Sequence, residues 1–113
     1  MTEEKAYQEL LDPYLQELRR GLIVMAVLSQ LSEPQYGYSL IKQLSEKQFE
    51  VDQGTLYPLL RRLEERGLIG SDWVVDEPRP RKYYQINATG EAILSDLKKE
   101  WGALVEVLEG VLS

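Results

Sequence analysis

Five side chains within ten residues carry groups that hydrogen-bond phosphates and base edges. They are the Gln53 amide, the Thr55 hydroxyl, the Tyr57 phenol and the Arg61 and Arg62 guanidinium groups. They share a stretch, QGTLYPLLRRLEERGLI, with Leu56, Leu59, Leu60 and Leu63, which recur at i, i+3, i+4 and i+7. The leucines therefore take one face of a helix and leave the polar set for the other. At the N-terminal end of such a helix the backbone dipole adds partial positive charge. A helix of this kind fits the major groove of a duplex, where its N-terminal residues reach base edges. A solvated face in which Arg61 pairs with Glu65 at i, i+4 accounts for the same residues, and for the helix alone it is the simpler account.

Pro58 restricts where this helix starts. With Thr55 as the cap, the proline falls at the third helical position, among N–H groups that lack partners anyway. With Asp52 as the cap it comes later and kinks the first turns. Gly67 is suited to end the helix in a left-handed turn, with Leu68 folding back on the last turn.

A second basic group follows at Arg79, Arg81 and Lys82, at or beside a loop, DEPRP, that joins two β-rich runs, SDWVV and RKYYQI. Two contact elements in succession result, a helix for the major groove and a ribbon for the adjacent backbone or minor groove. A surface loop balanced by Asp76 and Glu77 explains the ribbon equally well. Trp73, in the first run, is expected to pack within the ribbon.

Total charge by itself opposes an anionic partner, since the 113 residues carry a net charge of −6. Between residues 36 and 84, however, the bases Lys42, Lys47, Arg61, Arg62, Arg66, Arg79, Arg81 and Lys82 equal in number the acids Glu46, Glu50, Asp52, Glu64, Glu65, Asp72, Asp76 and Glu77. The excess acid belongs to the two flanks, and exposed charges are screened beyond ~10 Å. The middle of the chain can therefore face an anion while its ends cannot.

Other chemistries are poorly provided for. The chain has no cysteine and no histidine, which removes thiolate chemistry and the commonest general base and metal ligand. No glycine-rich phosphate loop or framed carboxylate pair is present, so neither an enzyme, a cofactor nor a metal is expected. The acidic start, MTEEKAYQELL, lacks the layout of a secretory signal, and no apolar run can span a bilayer. The expected compartment is the cytoplasm, with no membrane role.

The remaining elements must position these groups. Asp12-Pro13 reads as a helix start, opening a helix over residues 12–31, with a separate short helix over 2–11. A loop with Pro34 and Gly37 leads to a second helix over 38–47, which turns Leu40, Ile41 and Leu44 inward. After the ribbon, NATGEAILSDLKKEWGALVEVLEGVL forms one long helix with Thr89 as the expected cap. Its Leu94, Leu97, Trp101, Leu104, Leu108 and Val111 are spaced 3, 4, 3, 4, 3, a heptad seam. Tyr7, Leu11, Tyr14 and Leu18 repeat 4, 3, 4 near the N-terminus. So small a domain has little core to cover these stripes, which therefore imply a two-fold homodimer. A terminal helix folded back on its own domain is the alternative.

Three blocks, YGYSLIKQL, GTLYPLLRRLEERGLI and RPRKYYQINATG, resemble the PadR family of bacterial transcriptional regulators over about residues 18–112. The resemblance implies a mainly α fold with a small two-stranded β-wing, a winged helix-turn-helix plus a long C-terminal dimerisation helix. On this basis residues 1–87 form the DNA-binding domain and residues 88–113 the dimerisation helix. The implied function is that of a homodimeric repressor on a palindromic double-stranded operator. Thr55, Tyr57, Pro58 and Arg61 would then lie on the DNA face, supported by Tyr38, Ser39 and Lys42, with Arg79, Arg81 and Lys82 as wing contacts. The chain resembles the short members, which lack an extra C-terminal helical domain. In some of these an aromatic residue on the terminal helix lines a pore that takes up flat hydrophobic compounds, a role that would fall to Trp101. A tryptophan in a helix seam also serves plain packing. A winged-helix protein-interaction module without DNA binding is the alternative function.

Overall fold

The computed structural model describes residues 2–75 and 78–113. In chain order it contains α1 (Thr2–Ser29), α2 (Gly37–Glu46), α3 (Gln53–Glu65), β1 (Ile69–Val74), β2 (Arg81–Ile86) and α4 (Ala88–Leu112). Three helices, a ribbon and a terminal helix follow one another as the pattern of the sequence requires.

One core unites them. Val27 and Leu28 of α1, Leu40 and Leu44 of α2, and all four leucines of the α3 stripe are buried together. Leu31, Val51, Ile69 and Tyr84 close the cluster. Each such leucine taken fully out of water is worth roughly 1.5–3 kcal/mol, so this cluster dominates the stability of the head.

The α3 helix is bounded as its sequence suggests. Asp52 is the cap, its carboxylate accepting the Thr55 N–H at 2.7 Å, so Pro58 lies in the second turn. There it withholds the bond that the Gly54 carbonyl would accept, and Gly54 is exposed, so water can serve that oxygen. At the other end Gly67 takes a φ of 80°. The Leu68 N–H then reaches the Leu63 carbonyl at 3.0 Å and the Gly67 N–H the Glu64 carbonyl at 3.0 Å, the two bonds of a Schellman motif.

Several boundaries differ from those expected. Asp12-Pro13 does not start a helix: α1 runs unbroken through it, and Asp12 accepts the Gln8 side-chain amide at 2.6 Å on the helix surface. The residues around Pro13 are exposed, so its missing donor strands no buried carbonyl. Helix α2 begins at Gly37, where the Tyr36 N–H donates to Ser39 Oγ at 3.1 Å. Helix α4 is capped by Asn87, not Thr89. The Asn87 Oδ1 accepts the Gly90 N–H at 2.9 Å while its Nδ2 donates to the Gly67 carbonyl at 2.9 Å, which ties the end of α3 to the start of α4.

The two strands pair antiparallel from Ile69↔Ile86 to Val74↔Arg81. Strand β1 starts two residues before the expected run because Ile69 is buried in the core. Gln35 exchanges both backbone bonds with Tyr84, at 2.9 and 2.8 Å, and so adds a single residue to the free side of β2. Helix α4 leaves this sheet through Gly90, where any Cβ would overlap the Leu68 carbonyl and crowd Ile86.

Beyond the head the two long helices lose their cover. Met25, Ala26 and Ser29 of α1 meet Leu94, Lys98 and Trp101 of α4 around a cleft of about 380 Å³. Every residue after Leu97 is exposed, as is every described residue before Leu11. Within the described residues no helix is long and apolar enough to cross a membrane.

Candidate nucleic-acid interface

The outward face of α3 keeps the polar set together. Gln53, Thr55, Tyr57, Arg61 and Arg62 are exposed and Pro58 is half-buried. Among the described residues no ion pair joins Arg61 to Glu65, so the bland arrangement of that face is not formed. The Tyr57 ring leans onto the first turn of α2, with its hydroxyl end over Gly37. A Cβ at Gly37 would occupy the same space, so that glycine sets how closely the two helices approach.

Residues of α2 flank this face in different states. Tyr38 is 61% exposed and stacks on Tyr36 with ring centroids 6.4 Å apart. Lys42 is exposed one turn further on. Ser39 is half-buried, its Oγ 2.8 Å from Gln35 Oε1 and 2.9 Å from the Tyr36 carbonyl. That hydroxyl is committed to shaping the start of α2.

The three wing bases are not equivalent. Arg79 is exposed in the segment between the strands, flanked by exposed Pro78 and Pro80. Arg81 and Lys82 open β2 beside the loop, as the RKYYQI run implies, and as neighbours on a strand they point to opposite faces. Arg81 lays its guanidinium 4.3 Å above the Tyr36 ring, which meets Tyr83 edge-on at 5.3 Å. Lys82 Nζ lies 3.2 Å from Glu64 Oε1 and 5.4 Å from the Tyr84 ring. The proposed counterweights Asp76 and Glu77 lie outside the described residues. Trp73 does not pack within the ribbon: opposite Lys82 in the register, it is 62% exposed.

Two titrations are displaced at this junction. The Ser71 hydroxyl donates to the Glu64 carboxylate and, with Lys82 beside it, holds that group below its ordinary value despite partial burial. Burial pushes the Tyr84 phenol up, with Lys82 opposing. No cluster of metal-binding residues occurs among the described residues.

The seam residues divide likewise. Leu94 and Leu97 are half-buried, Leu94 at the cleft shared with α1, and Leu11 is half-buried on α1 itself. Tyr7, Tyr14, Leu18, Trp101, Leu104, Leu108 and Val111 are exposed; Trp101 keeps 50% of its surface in water. Residues that sequence spacing did not single out nonetheless shape the candidate interface: Tyr36, Gly37, Glu64 and Ser71. Tyr36 meets Arg81 and Gly37 meets Tyr57 across elements far apart in the chain, which no local spacing announces.

Residues 24–96 match the model of the transcriptional regulator PadR-like family. A transcriptional regulator of Mycobacterium tuberculosis is 32% identical over 99 residues, spanning 87% of this chain and 90% of the relative. The crystal structure of a PadR family transcriptional regulator from Eggerthella lenta is 42% identical with a TM-score of 0.86, covering 96% of this chain and 93% of that one. A PadR-like transcription factor from Bacteroides fragilis is 34% identical with a TM-score of 0.74, over 88% of this chain and 98% of that one.

Proposed function

The chain belongs to the PadR-like family of transcriptional regulators, with the winged-helix fold of its relatives, and from that premise we propose a homodimeric repressor of a palindromic operator. The observation that supports DNA contact most directly is the exposed set on α3, Gln53, Thr55, Tyr57, Arg61 and Arg62, free of any pairing with Glu65. In this reading α3 enters the major groove. Thr55 and Tyr57 meet base edges, Arg61 and Arg62 meet phosphates, and Pro58 stiffens the approaching turn. Tyr38 and Lys42 flank the groove from α2, and Ser39 holds that helix in place. On the wing Arg79 reaches the adjacent backbone, with Arg81 and Lys82 in support.

Two-fold pairing through α4 and the N-terminal half of α1 covers the apolar seams and sets two copies of α3 about one duplex turn (~34 Å) apart. Residues 1–87 thus carry recognition and residues 88–113 carry pairing, with Tyr7, Leu11, Tyr14 and Leu18 contributing from α1. The acidic flanks keep the pairing side away from phosphate. In this reading Trp101, which lines the cleft with Met25 and Ala26, stacks a flat hydrophobic compound between symmetry-related copies and so relieves repression. The site of action is the cytoplasm, where bacterial DNA lies.

Titration of the full chain against the DNA upstream of its own gene tests this reading. Binding should weaken steeply with salt, as counterions released from phosphates are recovered. The net charge of −6 favours the alternative of a protein-interaction module, and absence of binding even at low salt would select it.

A further inference from the structure

A single carboxylate joins the end of α3 to both strands of the wing. Glu64 accepts the Ser71 hydroxyl of β1 through Oε2 and meets Lys82 Nζ of β2 at 3.2 Å through Oε1. The two side chains of the ion pair are 33% and 35% exposed, so water screens them only in part. A two-stranded ribbon is marginal alone and takes its stability from what it packs on. Here the α3-facing side of the ribbon offers Tyr84 to the core and, nearer the tip, this carboxylate junction. Past it Trp73 is 62% exposed, so among the described residues Glu64 is the outermost polar tie between α3 and that side of the ribbon.

The junction also has an electrostatic consequence. Glu64 follows Arg61 by three residues, so an acid stands beside the face that would approach phosphates. Unpaired, it would repel the duplex. Lys82 compensates it, and the pair as a unit carries no net charge with which to release counterions from DNA.

We propose that Glu64 is a positioning residue for DNA recognition, holding the wing at a fixed angle to α3 through Ser71 and Lys82 and withholding Lys82 from the phosphates. This rests on the DNA-binding reading above. It separates Lys82 from Arg79: both are wing bases, but only Arg79 neutralises phosphate.

The test uses the full-length chain and the DNA upstream of its own gene, titrated over a range of salt. Arg79→Ala should lower the slope of log affinity against log salt by about 0.9, the value for one lost phosphate contact. Lys82→Met should weaken binding about two- to fivefold, the scale of one partly exposed ion pair, with the slope unchanged. Glu64→Gln should weaken binding similarly, with a slope equal to or steeper than wild type because Lys82 is released. The charge-swapped double variant, Glu64→Lys with Lys82→Glu, should recover most of the affinity. A slope for Lys82→Met that falls as far as that of Arg79→Ala overturns the proposal, as does a swap no better than either single change. Hydrogen exchange of the DNA-free protein gives a separate readout. Glu64→Gln should speed exchange of the β1 and β2 amides about two- to fivefold and leave the buried turns of α1 and α2 unchanged. Unchanged exchange in the wing overturns the tie, whatever the titration gives. A wild-type chain that binds no DNA overturns the functional reading instead.

Discussion

The same leucine spacing has opposite outcomes in α3 and in the outer half of α4. In α3, Leu56, Leu59, Leu60 and Leu63 are buried by α1, α2 and the sheet. In α4, Trp101, Leu104, Leu108 and Val111 follow an equally regular 3-and-4 pattern and all stand exposed. Periodicity tells which side chains share a face; what covers that face depends on whether the chain itself returns to it. The head folds back on its stripe, whereas both long helices project theirs outward. The α1 arm does the same, with Tyr14 at 75% exposure. In the proposed dimer this difference separates a face used for folding from one used for association.

The sharpest way to break this contrast is to charge the outer seam. Replacing Leu104 and Leu108 together by Glu should leave the helical content of the head intact but convert the protein to monomers in light scattering. Affinity for a two-half-site DNA should fall about 10²–10⁴-fold, the gain that linked binding confers. A dimer that survives both changes would place the pairing surface elsewhere. Next in size is the same kind of change inside the head. Leu60→Ala removes a fully buried side chain and should cost about 2–5 kcal/mol in urea unfolding. A loss below 1 kcal/mol would mean that the head is far more loosely packed than its burial implies.

Two glycines of α4 sharpen the comparison, because one lies at the junction and one on the arm. At Gly90 a Cβ would run into the Leu68 carbonyl, which is backbone and cannot swing aside. Gly90→Ala should therefore destabilise by about 1–3 kcal/mol. At Gly102 nothing lies within 4 Å of the added atom. Gly102→Ala should stabilise the helix by about 0.5–1 kcal/mol through reduced backbone freedom. Chemical unfolding at fixed protein concentration reads both. Destabilisation at Gly102 would show that a partner helix approaches there closely.

Local patterns made much of the head legible. The α3 stripe, Gly67 as a left-handed terminator and the ribbon position all rest on interactions within a few residues, and all stand. Choices among competing local signals fared worse. Asp12-Pro13 has the composition of a helix start, but a proline is tolerated inside an arm whose carbonyls face water. Thr89 and Asn87 are both good caps. Asn87 is used because it also reaches the Gly67 carbonyl, a contact made only once the chain has folded. The candidate interface shows the same limit. Its basic residues are evident as residue types, but Lys82 against Glu64 and Arg81 against Tyr36 are pairings across elements, 18 and 45 positions apart. No local spacing announces them, and they decide which bases remain available.

The smallest expected effect returns to that junction and concerns pH. Glu64 is held below its ordinary value of 4.5 in the folded chain, chiefly by the Ser71 hydroxyl and then by Lys82. A carboxyl with a depressed folded-state value stabilises the fold above 4.5 and loses that contribution as pH falls through the lower value. Tyr84, raised above 10.0 by burial, acts at the opposite limit: its contribution is complete below 10.0 and disappears as pH climbs through the raised value. Both groups belong to the head, so the pH dependence of its unfolding should be edged by the wing junction. Because the Glu64–Lys82 pair is a third exposed, its share should stay below about 1 kcal/mol. Urea midpoints measured between pH 3 and 7 for the wild type and Glu64→Gln should converge at the acid end and separate above 4.5, with the wild type more stable. Parallel curves across the whole range would show that the carboxylate contributes nothing to the wing through its charge, and would leave the Ser71 hydrogen bond as the only tie from Glu64 to the ribbon.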